Sequence, residues 1–158
     1  MLLWKKRKLG RNIEDMTIGE KLTLTEKIED KDLLLFLGLT NDANPLYIQH
    51  DYAAQTPHKR PIVPTIMLTG IVTAAISKYL PGPGSHIIAQ QLSFPKALPH
   101  YATVEFLFEV TSIDQRKAEV DIAVTATDED GAEIVIGHVT VCPPHKLEKL
   151  DSTALENF

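Results

Sequence analysis

Side chains able to exchange protons gather in one stretch of this 158-residue sequence, Thr40-Asn41-Asp42-Ala43-Asn44-Pro45-Leu46-Tyr47, with His50 and His58 following. A carboxylate (Asp42), a phenol (Tyr47) and an imidazole (His50) are the residue types that general acid–base chemistry employs. They are not equivalent. A phenol ionises only near pH ~10, so at neutral pH it donates a proton and is a poor base. Asp42 and Asn44 also have a plain structural use, since both types bond the local backbone and are common in turns. An isolated loop histidine is most often simply exposed. Other chemistries find less support. His86, His100, His138 and His145 are scattered without ligand spacing, so no metal is expected. The chain has no glycine-rich phosphate loop, no Gly-x-Ser-x-Gly elbow and no Cys-His nucleophile pattern.

The frame that must hold these residues is one domain of ordinary size, long enough to bury a core without disulfides or metals. Hydrophobic residues make up 44% and charged residues 23%, a globular composition. A net charge of -5 argues against nucleic acid as the main partner, because phosphate binders usually carry a basic face. The single cysteine, Cys142, cannot form an intrachain disulfide, and a reducing, cytoplasmic setting is the simplest expectation. Met1-Leu2-Leu3-Trp4 is too short for the apolar core of a secretory signal, and basic residues follow it instead of preceding it. Residues 1–15 read as a basic tail carrying Lys5, Lys6, Arg7, Lys8 and Arg11, residues 16–145 as the folded domain, and residues 146–158 as a polar tail.

Within the domain, Thr17 to Ile28 alternates loosely and predicts a first strand. A short helix follows, carrying Leu33, Leu34, Phe36 and Leu37, with Asp30 as its expected N-cap. Gly38 to Pro61 reads as irregular or weakly helical, a long connection of the kind that often carries function. Pro64 to Leu80 predicts a helix with almost no polar face, which must then be buried all round. It is too interrupted by Pro64, threonines, Ser77 and Lys78 to span a membrane. Pro64 suits its first turn and Pro81-Gly82-Pro83-Gly84 ends it. Four strands follow, at about His86–Phe94, Thr103–Ile113, Ala118–Asp128 and Glu133–Val141, as an antiparallel meander with a hairpin turn at Asp128-Glu129-Asp130-Gly131. A curved sheet wraps much of a buried helix, and a second copy of the chain is the usual cover for the flank left open. The expected class is α+β, the hot-dog architecture, an antiparallel sheet wrapped around a long central helix, with a homodimer as its smallest unit.

The segment Phe36 to Tyr47 resembles the signature of the MaoC-like, (R)-specific enoyl-CoA hydratase family: aromatic, three variable residues, Ser/Thr, Gly, Asp, any residue, Asn, Pro, aliphatic, His. Arg60-Pro61-Ile62-Val63 is similar to the stretch before that family's central helix, and Leu80-Pro81-Gly82-Pro83-Gly84-Ser85 and Gln91-Leu92-Ser93-Phe94 to its next turn and strand. The resemblance covers roughly residues 16–142. It implies that water is added across the double bond of a trans-2-enoyl thioester, or removed from a 3-hydroxyacyl thioester, on coenzyme A or acyl-carrier protein, with no cofactor and no metal. Asp42 would activate the water as base or holder, and Asn44 would orient it. Backbone N–H groups of Thr65 or Ile66, at the start of the central helix, would hold the thioester oxygen.

The departures are as specific as the matches. Tyr47 stands where the family has His, and Asn41 where it has Gly. Pro64-Thr65 stands where His-Gly is expected. Tyr47, with His50, would replace the proton donor. Thr73 falls where related hydratases carry a helix serine, and it either supplies that hydroxyl or bonds its own backbone. Two losses at one site leave a second reading open, a non-catalytic acyl-thioester-binding subunit or partner of an active hydratase. A thioesterase, also common on this fold, ranks below both, because Pro64–Leu80 carries no acid. Fold alone does not choose among them.

Overall fold

The computed structural model describes residues 9–146, so the basic run from Lys5 to Lys8 and the C-terminal tail from residue 147 onwards lie outside the described residues. After a 3₁₀ turn at Ile13–Asp15 the order is β1 (Lys21–Lys27), α1 (Asp30–Thr40), α2 (Pro45–Ile48), α3 (His50–Ala54), α4 (Thr65–Lys78), β2 (His86–Ser93), β3 (Thr103–Asp114), β4 (Glu119–Asp128) and β5 (Glu133–Cys142).

The strands form one antiparallel sheet in the order β1-β3-β4-β5-β2. Strict alternation places Val104, Phe106, Phe108 and Val110 of β3 and Val120, Ile122, Val124 and Ala126 of β4 on one fully buried face. Large side chains oppose small ones across the register: Phe106 pairs with Ala126, and Phe108 with Val124 beside Gly137. Gly137 is obligatory there, since a Cβ at this position would lie 2.0 Å from the Gln91 carbonyl oxygen of β2. Leu68, Val72, Ala75 and Ile76 of α4 complete the same core. Each of the valine, leucine, isoleucine and phenylalanine side chains among them contributes about 1.5–3 kcal/mol when fully buried. A hot-dog domain results, with the helix seated on the concave face of the sheet.

Both β-hairpin turns are built by aspartates that bond the backbone ahead of them. Asp114 Oδ1 accepts the N–H groups of Arg116 and Lys117, and Asp128 Oδ1 those of Asp130 and Ala132. After α4, the turn at Pro81–Gly84 receives the N-terminal segment: Gly10 N–H donates to Pro83 O (2.8 Å) and Arg11 N–H to Pro81 O (3.0 Å). A Cβ on Gly10 would meet Pro81 O at 2.5 Å.

Two sequence expectations change. The last four strands are not one meander. Only β3-β4-β5 is, while β2 crosses over to pair with β5 and β1 closes the other edge against β3. Alternation sets which face a strand buries but not which neighbour it takes. The N-cap of α1 is Glu29, not Asp30: the Glu29 side chain and the Asp32 side chain close a reciprocal capping box, with Glu29 N–H donating to Asp32 Oδ2 at 2.9 Å. Within the single chain α4 is buried on one side and Ile66 is 56% exposed, which is the open flank for which a second copy was the expected cover.

Candidate active site

The site loop begins where α1 stops. Asn41 adopts a left-handed conformation (φ 57°, ψ 24°) and its N–H caps Leu37 O. Asparagine tolerates this backbone better than most residues. Three consecutive side-chain bonds then steer the chain: Asp42 N–H to Thr40 Oγ1 (3.2 Å), Asn44 N–H to Asp42 Oδ1 (3.2 Å) and Leu46 N–H to Asn44 Oδ1 (3.0 Å). The last is an N-cap, with Pro45 in the first turn of α2. Asp42 and Asn44 therefore do structural work, whatever else they do. Asp42 is exposed, and among the described residues its Oδ2 makes no hydrogen bond.

Tyr47 is half-buried, and its ring meets Phe36 of α1 edge to face, centroids 6.4 Å apart. No hydrogen bond joins its hydroxyl to Asp42 among the described residues. His50 is exposed and opens α3, with Gln49 as N-cap. His58 is exposed as well. The loop is fastened to the entrance of α4 by Ile62 N–H donating to Leu46 O at 3.0 Å. Thr65 and Ile66 open α4 and are both exposed, and no side chain caps that terminus. Its first N–H groups therefore point outward without a capping partner, as the end of any helix leaves them. Thr73 Oγ1 donates to Gly70 O at 3.0 Å, the backbone-bonding alternative of the two open from sequence.

One residue in this neighbourhood escapes spacing rules. His100, in the turn before β3, is the only buried polar side chain among the described residues, 7% exposed. Its Nε2 lies 3.1 Å from Ile62 O. The sequence signal that marks it is slight: a histidine between Pro99 and an apolar strand. No group of three or more His, Cys, Asp or Glu able to hold a metal occurs among the described residues.

A model of the MaoC like domain matches residues 13–132. The chain belongs to the MaoC-like family. Among MaoC-like relatives, the (R)-specific enoyl-CoA hydratase of Rhodospirillum rubrum is 32% identical over 131 residues, covering 83% of this chain and 90% of that protein. The 3-hydroxybutyryl-CoA dehydratase of Methylorubrum extorquens is 28% identical over 142 residues, 90% of this chain and 89% of that one. Among solved structures, the (R)-hydratase from A. caviae involved in PHA biosynthesis superposes with a TM-score of 0.80 at 28% identity, covering 83% of this chain and 99% of that one. The MaoC-like match thus spans β1 to β4, the four helices and the loop that holds Asp42, and ends just before β5.

Proposed function

We propose that this protein is an acyl-thioester hydro-lyase that hydrates trans-2-enoyl-CoA and, in reverse, dehydrates 3-hydroxyacyl thioesters. The observation that carries the reading is the placement of Asp42: an exposed carboxylate with one oxygen uncommitted, on a loop tied through Leu46 and Ile62 to the open N-terminus of α4. In the forward direction the water oxygen bonds to C3 of the enoyl group, and Asp42 takes one water proton. The electron pair of the double bond moves onto the thioester carbonyl, whose oxygen is held by the N–H groups of Thr65 or Ile66. A proton then reaches C2, delivered from Asp42 or from the Tyr47 hydroxyl, with His50 the other candidate donor. Asn44 fixes the loop, and Tyr47 takes the position where the family signature that this segment resembles has histidine. Thr73, spent on Gly70 O, lines α4 rather than serving as a proton carrier.

A second copy of the chain completes this reading. Leu34, Leu35 and Leu39 of α1 and Ile66 of α4 are exposed, with Leu39 at 87%, and a homodimer would cover such surface. Light scattering at micromolar concentration tests that, and a monomer rejects it. We place the protein in the cytoplasm because its lone Cys142 asks for no oxidising compartment, which cell fractionation checks.

Loss of enoyl absorbance with crotonyl-CoA and longer enoyl-CoAs tests the activity. Turnover well above an Asp42→Ala control is expected, and none at any chain length overturns the reading. One observation favours a binding-only alternative: the Tyr47 ring is used against Phe36 and its hydroxyl is not bonded to Asp42. In that case acyl-CoA would raise the melting temperature without turnover, and the combined replacement Tyr47→His, Pro64→His, Thr65→Gly would bring activity out.

A further inference from the structure

We propose that His100 is a positioning residue for the loop that carries Asp42 and Tyr47, acting as a proton-sensitive latch between Ile62 and Asp30. The inference rests on the hydro-lyase reading for its catalytic consequence, but not for its geometry.

The ring sits between two acceptors. Ile62 O, 3.1 Å from Nε2, can only accept, so Nε2 carries the proton. That leaves Nδ1 as a bare lone pair. It is fully buried and has no hydrogen-bond partner, and it faces Asp30 Oδ1 at 3.7 Å. A lone pair buried against a carboxylate is an unused acceptor in the wrong place. A proton on Nδ1 would gain a charge-assisted contact with Asp30 but lose more through desolvation of the charged ring, so the fold favours the neutral ring bonded to Ile62. Burial resists that proton and holds the ring below the usual imidazole value, helped by the field of His50; the Ile62 carbonyl and Asp30 act in the opposite sense. Asp30 faces the ring from α1, and the exposed His50 acts on it from α3 through its field alone. Tyr101, next in the turn, shares Asp30, which raises its phenol.

The latch grips both ends of the site loop. At the exit, His100 N–H donates to Pro61 O (3.2 Å) and Val63 N–H to Leu98 O (2.8 Å), while Ile62 holds Leu46 O through its own N–H. At the entrance, Asp30 is the first residue of α1, whose last turn leads into Asn41 and Asp42, and Tyr101 N–H donates to Ile28 O (3.0 Å). A shift of the ring moves Ile62, and with it the anchor of Leu46 between Asn44 and Tyr47.

The sign follows from the depressed value. The unfolded chain, with an ordinary imidazole near pH ~6.5, binds the proton first. The latch contributes fully above that pH and weakens as the pH falls toward the folded value. His100→Gln keeps a donor for Ile62 O but cannot titrate. Asp30→Asn removes the carboxylate that favours the charged ring, at a side chain 62% exposed, so it will fold. Melting temperature and kcat/KM for crotonyl-CoA are measured against pH for each. The wild type should lose both on the acid side. Asp30→Asn should displace that limb to lower pH, and His100→Gln should abolish it while retaining neutral-pH KM. Superimposable profiles for all three proteins, or a limb moved upward by Asp30→Asn, overturn the proposal. If the wild type hydrates nothing, the melting series still decides the latch; if it is active and the series is flat, only the latch fails.

Discussion

The sheet side of α4 and the segment from α1 to α3 are held by different forces. Against the sheet, Leu68, Val72, Ala75 and Ile76 close on Phe106, Phe108 and the valines of β4 and β5 with essentially no solvent exposure. From residue 30 to 54 only Leu33 and Ala53 are buried, and Leu35 is 73% exposed. That segment owes its shape to side-chain bonds from Thr40, Asp42 and Asn44 and to the bond from Ile62 N–H to Leu46 O. The lesson is a division of labour. Burial over a large area makes the sheet and α4 stable, whereas a network of single bonds each worth about 1 kcal/mol leaves the loop exposed and adjustable, as a site that admits water must be.

Each of four changes tests that division, the largest first. Phe106→Ala empties a fully buried site and should cost about 3–5 kcal/mol in urea unfolding, with activity lost alongside stability. Equal midpoints for this variant and the wild type would erase the distinction. Asp42→Asn should cut kcat by about 10²–10⁴-fold while stability moves by less than ~0.5 kcal/mol, since the amide oxygen can still receive Asn44 N–H. A parallel loss of stability would mean Asp42 is chiefly a turn residue. Asn44→Ala removes the cap of α2 and should cost about 1 kcal/mol, felt in amide exchange at Leu46 and Tyr47 before it reaches the sheet. The smallest effect lies on the outer face of the sheet. Thr140 and Ser112 donate to Asp121 and hold its carboxyl below the ordinary aspartate value. The stability this gives is present above pH ~3.8 and is lost as the pH falls through the folded value. Asp121→Asn should therefore flatten the acid end of the melting profile and leave kcat at neutral pH unchanged.

Much of the frame was legible from residues alone, because alternation and apolar runs report burial directly. The strand expected at Thr103–Ile113 runs Thr103–Asp114, and the helix expected from Pro64 runs Thr65–Lys78. The helix of Leu33 to Leu37 was read too short, since Gly38 and the polar residues after it look like an end, yet Thr40 Oγ1 donates back to Phe36 O and the helix closes only at Asn41. Pairing order was not legible: β2 and β5 meet across more than forty residues of chain, and the close approach at Gly137 that locks them has no local signature. The address of the candidate site was legible through Asp42, Asn44 and Tyr47, but their bonds were not, because a side chain that caps and one that catalyses look alike in sequence.

The residues by themselves determined the family, the element types and the loop in which any chemistry must lie, since these follow from periodicity, turn residues and motif spacing within short reach of one another. Only the tertiary structure decided the strand order and the burial of His100 between Ile62 and Asp30. Those depend on which distant segments exclude water from one another, a property that no single stretch of the chain possesses.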